Sequence, residues 1–86
     1  MEEEVRHALL AAGFETSEIH LEVTQSGNVG GFVVSKRFAG ISQVDRQQAL
    51  WSDLKKHLPA EKIHRIVSIL TMTPAEVEDD VRVANG

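Results

Sequence analysis

The stretch that decides the fold is Ile19-His20-Leu21-Glu22-Val23-Thr24-Gln25-Ser26-Gly27-Asn28-Val29-Gly30-Gly31-Phe32-Val33-Val34. Apolar and polar residues alternate as far as Thr24, which predicts a strand with one buried face. The polar residues 25–28 are typical of a turn, and a second run of apolar and β-branched residues follows as far as Ser35. We therefore predict an antiparallel hairpin. Gly30 and Gly31, inside its second strand, predict a bulge or a close approach of another backbone.

Helices are predicted on both sides of this hairpin. In residues 2–12 the apolar side chains recur at the spacing of one helix face, and Gly13 follows where a helix would end. A second helix is predicted to begin at Ser42, whose hydroxyl can cap the first turn, and to end before Pro59. Its predicted apolar face consists of Val44, Leu50, Trp51, Leu54 and Leu58.

The last third of the chain predicts one more strand and one more helix. Residues 63–71 are rich in Ile and Val on both faces, which favours a strand covered at least partly on both sides. Thr73-Pro74-Ala75-Glu76 is a capping box with proline at the first helical position. The predicted order is therefore α-β-β-α-β-α. We expect a single α+β domain over residues 1–86, with a three-stranded mixed sheet and helices packed on one face.

Composition restricts the classes of function. The chain has 86 residues, a net charge of −4 and no cysteine. It begins with acidic residues and has no long apolar run, so we expect a soluble, cytoplasmic protein without a membrane partner. The absence of cysteine excludes disulfides, thiolate nucleophiles and metal sites built from this chain's own thiolates. We find no catalytic motif and therefore do not expect an enzyme.

Charge is unevenly distributed along the chain. Residues 1–35 sum to −5, residues 36–65 to +4 and residues 66–86 to −3. The basic middle segment is consistent either with an ordinary solvated face or with a surface that meets an anion or an acidic partner.

Four histidines are the remaining candidates for chemistry. His7 and His57 fall on predicted polar helix faces, where solvated imidazoles are common. His20 lies on the polar side of the first strand, and His64 begins the third. A neutral imidazole can ligate zinc or iron, but spacing alone leaves both histidines open between a surface role and a metal-ligand role.

Two ordered motifs resemble the BolA family. Residues 34–48 resemble that family's V-S-x-x-F-x-G-x-S-x-V-x-R-x-x segment, and residues 63–76 resemble its I-H-A-L-x-x-x-T-x-T-P-x-E ending. The resemblance covers roughly residues 19–78 and is closest to the bacterial branch related to acid-stress BolA-like proteins. It implies a KH-like α/β fold of the second class.

The resemblance also implies a partner and a shared cofactor. BolA-like proteins pair with monothiol glutaredoxins, and a [2Fe-2S] cluster bridges the two proteins. The glutaredoxin cysteine and a bound glutathione supply sulfur, and the histidine that corresponds to His64 supplies nitrogen. The hairpin turn of this chain has neither Cys nor His, which leaves His20 as a weak candidate for a second ligand. We expect no cofactor in the isolated chain, which we expect to be monomeric.

Further residues are predicted to dock the glutaredoxin, its glutathione or a nucleic acid. They are Lys36, Arg37, Gly40, Ser42, Arg46 and Arg65. The alternative function is a KH-like nucleic-acid-binding regulator of transcription or stress responses, with DNA as the partner. In that case the turn at residues 38–42 would take the place of a KH clamp, and the basic middle segment would contact phosphates.

Overall fold

The computed structural model describes residues 1–78 of the chain and contains a three-stranded mixed sheet with helices packed on one face. This confirms the predicted α+β class and the general element order. The main elements are α1 (Glu2–Ala11), β1 (Ile19–Val23), β2 (Val29–Val34), α2 (Gln43–His57), α3 (Ala60–Ile63) and β3 (Ile66–Met72). Short 3-10 turns at Thr16–Glu18 and Lys36–Phe38 precede β1 and follow β2. Residues 74–78 are helical.

The hairpin forms as predicted, and Gly31 makes the predicted close approach to another backbone. β1 pairs with β2 in antiparallel register, with His20 opposite Phe32 and Leu21 opposite Gly31. Gly31 has φ +151°, and a Cβ there would overlap the backbone carbonyl oxygen of His20. Only glycine fits this position.

The third strand pairs in parallel with β2 and contains a bulge. Val29 is opposite Ile66, whereas Gly30 is opposite Ser68, so Val67 is an extra residue in β3. The bulge changes which face each side chain occupies, and both Ile66 and Ile69 are buried as a result.

The core lies between the helices and one face of the sheet. Its members come from α1, α2, all three strands and the connecting turns: Val5, Ala8, Leu9, Phe14, Ile19, Val29, Val33, Phe38, Leu50, Leu54, Leu58, Ile66 and Ile69. On the other face of the sheet, His20, Glu22, Ser68 and Leu70 are exposed. Leu70 has 59% of its surface accessible to solvent, so the prediction that β3 is covered on both sides is wrong.

Two other predictions are corrected. The third strand begins at Ile66 rather than Ile63, because Pro59 starts the short helix α3, which the sequence did not predict. Val44 is exposed, since the buried face of α2 follows the four-residue spacing of Arg46, Leu50 and Leu54. Among residues 1–78, no helix combines the length and apolar character needed to cross a membrane.

Candidate functional site

His64 is an exposed residue held in place by the backbone on both sides of it. It follows α3, and its N–H donates to the carbonyl oxygen of Ala60 at 3.1 Å. The carbonyl of the next residue, Arg65, accepts from Val29 N–H at 2.9 Å. His64 therefore lies at the end of the sheet that carries the hairpin turn, which we call the turn end. Its imidazole has no hydrogen bond or ion pair with any residue in the described part of the chain.

His20 lies away from His64. Its ring stacks on Phe32, with centroids 4.6 Å apart and planes inclined by 19°. Phe32 is three residues along β2 from Val29, which corresponds to about 10 Å at the rise of a β-strand. We therefore do not keep His20 as a second ligand beside His64, because ligands of one iron must lie within a few ångströms of each other.

The hairpin turn at the turn end offers hydroxyl and amide groups. Thr24 Oγ1 lies 3.0 Å from Ser26 Oγ and accepts from Asn28 N–H at 3.0 Å. Gly27 adopts φ +84°, which permits the tight reversal. These groups are engaged with one another, and hydroxyl and amide groups are poor ligands for an iron-sulfur cluster.

The predicted docking residues other than Arg65 lie at the opposite end of the sheet. Lys36 and Arg37 follow the last residue of β2, Gly40 has φ +75° in the next turn, and Ser42 caps α2 by accepting from Asp45 N–H at 3.2 Å. The length of β2, roughly 20 Å, separates this end from His64. The structure thus brings only Arg65 together with His64.

Arg37 is bound to the first helix. Its Nη1 donates to the carbonyl oxygen of Ala12 at 3.2 Å, and its guanidinium carbon lies 4.0 Å from the centre of the Phe14 ring. A cation at the C-terminal end of α1 also complements the helix dipole. Arg37 therefore stabilises the fold, although its side chain remains near the surface.

Arg46 is buried, which corrects its prediction as a docking residue. Its Nε donates to Ile41 O at 2.8 Å, and Nη1 and Nη2 contact the two carboxylate oxygens of Glu76 at 2.8 and 3.1 Å. Nη1 also lies 3.4 Å from Thr71 O. These contacts join the turn before α2 to β3 and to residues 74–78, and they leave the guanidinium unavailable to a partner.

Glu76 has a strongly perturbed acidity. The hydrogen bonds from Arg46, and next the backbone N–H of Thr73 at 2.8 Å, lower the pKa of Glu76 from 4.5 to about 2. Glu76 N–H in turn donates to Thr73 Oγ1 at 3.2 Å, so the predicted capping box is confirmed.

Sequence patterns did not indicate the side chains that bind β3. Gln47 donates to Ile69 O at 2.8 Å and accepts from Trp51 Nε1 at 3.1 Å, while Gln43 donates to Thr71 O at 3.0 Å. Gln43 and Gln47 are four residues apart and therefore lie on one side of α2. This spacing is the sequence feature that could have identified them as a pair. No apolar pattern distinguishes a Gln that binds the sheet from one that is only solvated.

The described residues do not form a metal site by themselves. In residues 1–78, no three His, Cys, Asp or Glu side chains are grouped so that they could hold a metal ion. His64 is a single exposed nitrogen donor, and the whole chain lacks cysteine. A [2Fe-2S] cluster that used His64 would therefore take its remaining ligands from another molecule.

Comparison of the chain with protein-family models, with curated proteins and with solved structures found no match in any of the three.

Proposed function

We propose that this chain is a noncatalytic BolA-like protein with the KH-like fold of the second class. In this proposal it pairs with a monothiol glutaredoxin and contributes His64 as one ligand of a shared [2Fe-2S] cluster, in iron-sulfur maturation or in iron or redox regulation. The observation that carries the proposal is the placement of His64: the residue is exposed, has no partner among the described residues, and is fixed by backbone hydrogen bonds of α3 and β2.

The order of elements supports the resemblance to the family. Two helices, α2 and α3, stand between the antiparallel hairpin and a parallel third strand. The His64-to-Pro74 segment is one residue longer than the corresponding segment of the family ending. The bulge at Val67 accommodates one additional residue in that segment, so the Thr73-Pro74 cap still follows the end of β3.

The chemistry of imidazole fits this role. A neutral imidazole in place of a thiolate reduces the negative charge on a [2Fe-2S] centre and raises its reduction potential. Since the chain has no cysteine, the partner and its glutathione would supply all the thiolates. Arg65, a predicted docking residue, is exposed and adjacent to His64, and in this proposal it would contact an anionic group such as a glutathione carboxylate.

The nucleic-acid alternative receives less support from these contacts. The turn at residues 38–42, the predicted clamp, lies between the short 3-10 turn Lys36–Phe38 and α2. The connection between α2 and α3 is Leu58-Pro59, which has no glycine to form a KH backbone clamp. Four cations of the basic middle segment contact protein groups: Arg37, Arg46, Lys56, which is paired with Asp53, and Lys62, which is paired with Glu4. We therefore keep DNA binding as an outcome to be measured rather than as the proposal.

Co-purification tests the proposal. The chain and a monothiol glutaredoxin would be purified together without oxygen, with glutathione present, and iron and sulfide would be measured in the complex. We expect a coloured complex that contains iron and sulfide in equal amounts. A colourless, iron-free complex would indicate an adaptor without a metal role. Retention of DNA, with a steep loss at higher salt, would favour the nucleic-acid alternative.

A further inference from the structure

The two outer edges of the sheet differ. β1 and β3 are the edge strands, because the strand order is β1-β2-β3. On β3, the outward carbonyl groups of Ile69 and Thr71 accept hydrogen bonds from Gln47 and Gln43 of α2, at 2.8 and 3.0 Å. Side chains that bind an edge in this way prevent another strand from pairing with it.

The edge of β1 is open. Thr24 N–H donates to Asn28 O at 2.7 Å, and the antiparallel register then directs the backbone groups of His20 and Glu22 toward β2. The N–H and C=O groups of Leu21 and Val23 consequently point outward. None of these groups has a hydrogen-bond partner in residues 1–78, and β1 contains no proline, lysine or bulge that would protect the edge.

The sequence of β1 is complementary to itself in the antiparallel direction. Around a two-fold axis at Leu21, Leu21 lies opposite Leu21 of a second copy, and Ile19 lies opposite Val23. On the exposed face of the sheet, His20 then lies opposite Glu22 of the second copy, which pairs an imidazole with a carboxylate. We propose that the outer edge of β1 binds β1 of a second copy of this chain in this register, joining the two sheets into one.

The register follows from charge and hydrogen bonding. Shifting the axis by one residue, to Glu22, places the two Glu22 carboxylates opposite each other, which is unfavourable. In the register centred on Leu21, the outward groups of Leu21 meet their own equivalents and form a reciprocal pair of hydrogen bonds. Val23 N–H then donates to Ile19 O of the second copy.

Such an interface is small. One pair of short strands buries less than the roughly 1,200 Å² of a typical stable interface, so the dimer forms reversibly and increases with concentration. The expectation of a monomer then holds only in dilute solution. The association requires no glutaredoxin and is measured with the chain alone.

Cross-linking tests the register. The chain has no cysteine, so single cysteines introduced as His20→Cys and Glu22→Cys give unambiguous products. Both positions are exposed on the face away from the core. In the proposed dimer their Cα atoms lie about 4.5 Å apart, within the range of a disulfide.

A mixture of the two variants should form the mixed disulfide at least about tenfold faster than either variant alone forms its own disulfide. The same difference is expected from a control mixture of Glu22→Cys with Val67→Cys, which lies on the β3 edge. Equal rates in all mixtures would overturn the proposal.

Sedimentation of the parent chain, which has no introduced cysteine, tests the proposed hydrogen bonds between the two β1 strands. We expect the mass to rise from 9.5 kDa toward twice that value with concentration. Val23→Pro removes an outward N–H without touching the β1–β2 ladder and should weaken association about tenfold, whereas Val23→Ala should preserve it. A monomer up to about 1 mM, or equal effects of the two variants, would overturn the proposal.

Discussion

Arg46 joins three parts of the chain through one guanidinium. It binds Ile41 O, Thr71 O and the carboxylate of Glu76, and only 5% of its surface is accessible to solvent. A buried Arg is tolerated because these acceptors replace water around its charge. The sequence contained a signal for this burial: Arg46 is four and eight residues before Leu50 and Leu54, which are both buried. Because most Arg side chains lie at the surface, Arg46 was predicted as a docking residue rather than as part of the buried face.

Replacing this guanidinium should destabilise the fold. Arg46→Ala removes charge-assisted hydrogen bonds at a buried position, and we expect the free energy of unfolding to fall by about 2 kcal/mol in urea titrations. The exposed cation Lys55 provides a matched control. Lys55→Ala removes one positive charge from the same helix, and Lys55 has no ion pair among the described residues. Equal stability of the two variants would contradict the role assigned to Arg46.

Glu76 should make stability depend on pH in the acid range. Because the folded state lowers its pKa from 4.5 to about 2, the ionised carboxylate stabilises the fold fully above the unfolded value, and this contribution is lost as pH falls from about 4.5 through 2. Glu76→Gln should therefore be less stable than the parent chain near neutral pH, and the difference should shrink toward pH 2. Urea unfolding at several pH values measures it, with the exposed Glu61→Gln as control. A difference independent of pH would contradict this assignment.

At the scale of elements, the hairpin and the close approach at Gly31 were predictable because strand alternation and turn chemistry are local. The start of β3 was not, since the Ile- and Val-rich stretch from Ile63 is compatible with both helix and strand. Ile63 ends α3, and the bulge at Val67 then places Ile66 in the core beside Ile69. Tertiary packing determined that boundary.

Gly31 should be essential to the hairpin. Gly31→Ala forces a Cβ into the backbone carbonyl of His20 at φ +151°, and we expect a loss of at least about 2 kcal/mol in stability. Gly30→Ala is the matched control, because its Cβ would meet Ser68 O at 3.5 Å, an ordinary contact. Thermal unfolding compares the two. If both variants unfold at the same temperature as the parent chain, the close approach at Gly31 is not the reason for its glycine.

At the scale of the whole molecule, the candidate residues form two separate groups at opposite ends of the sheet. His64 and Arg65 lie at the turn end, whereas Lys36, Gly40 and Ser42 lie at the other. The sequence indicated which residues could bind a metal or dock a partner, but the pairing of β2 with β3 determines which of them are neighbours. A shared cluster at His64 therefore needs a partner that approaches the turn end.

The role of His64 is tested most directly by spectroscopy of the mixed proteins. A cluster-loaded monothiol glutaredoxin would be titrated with the parent chain, His64→Ala and His57→Ala, and visible absorption and circular dichroism would be recorded. His57 is an exposed imidazole in the last turn of α2 and serves as the matched control. We expect the parent chain and His57→Ala to produce the same change in the cluster spectrum, and His64→Ala to produce none. A His64→Ala spectrum identical to that of the parent chain would contradict the assignment of His64 as a cluster ligand.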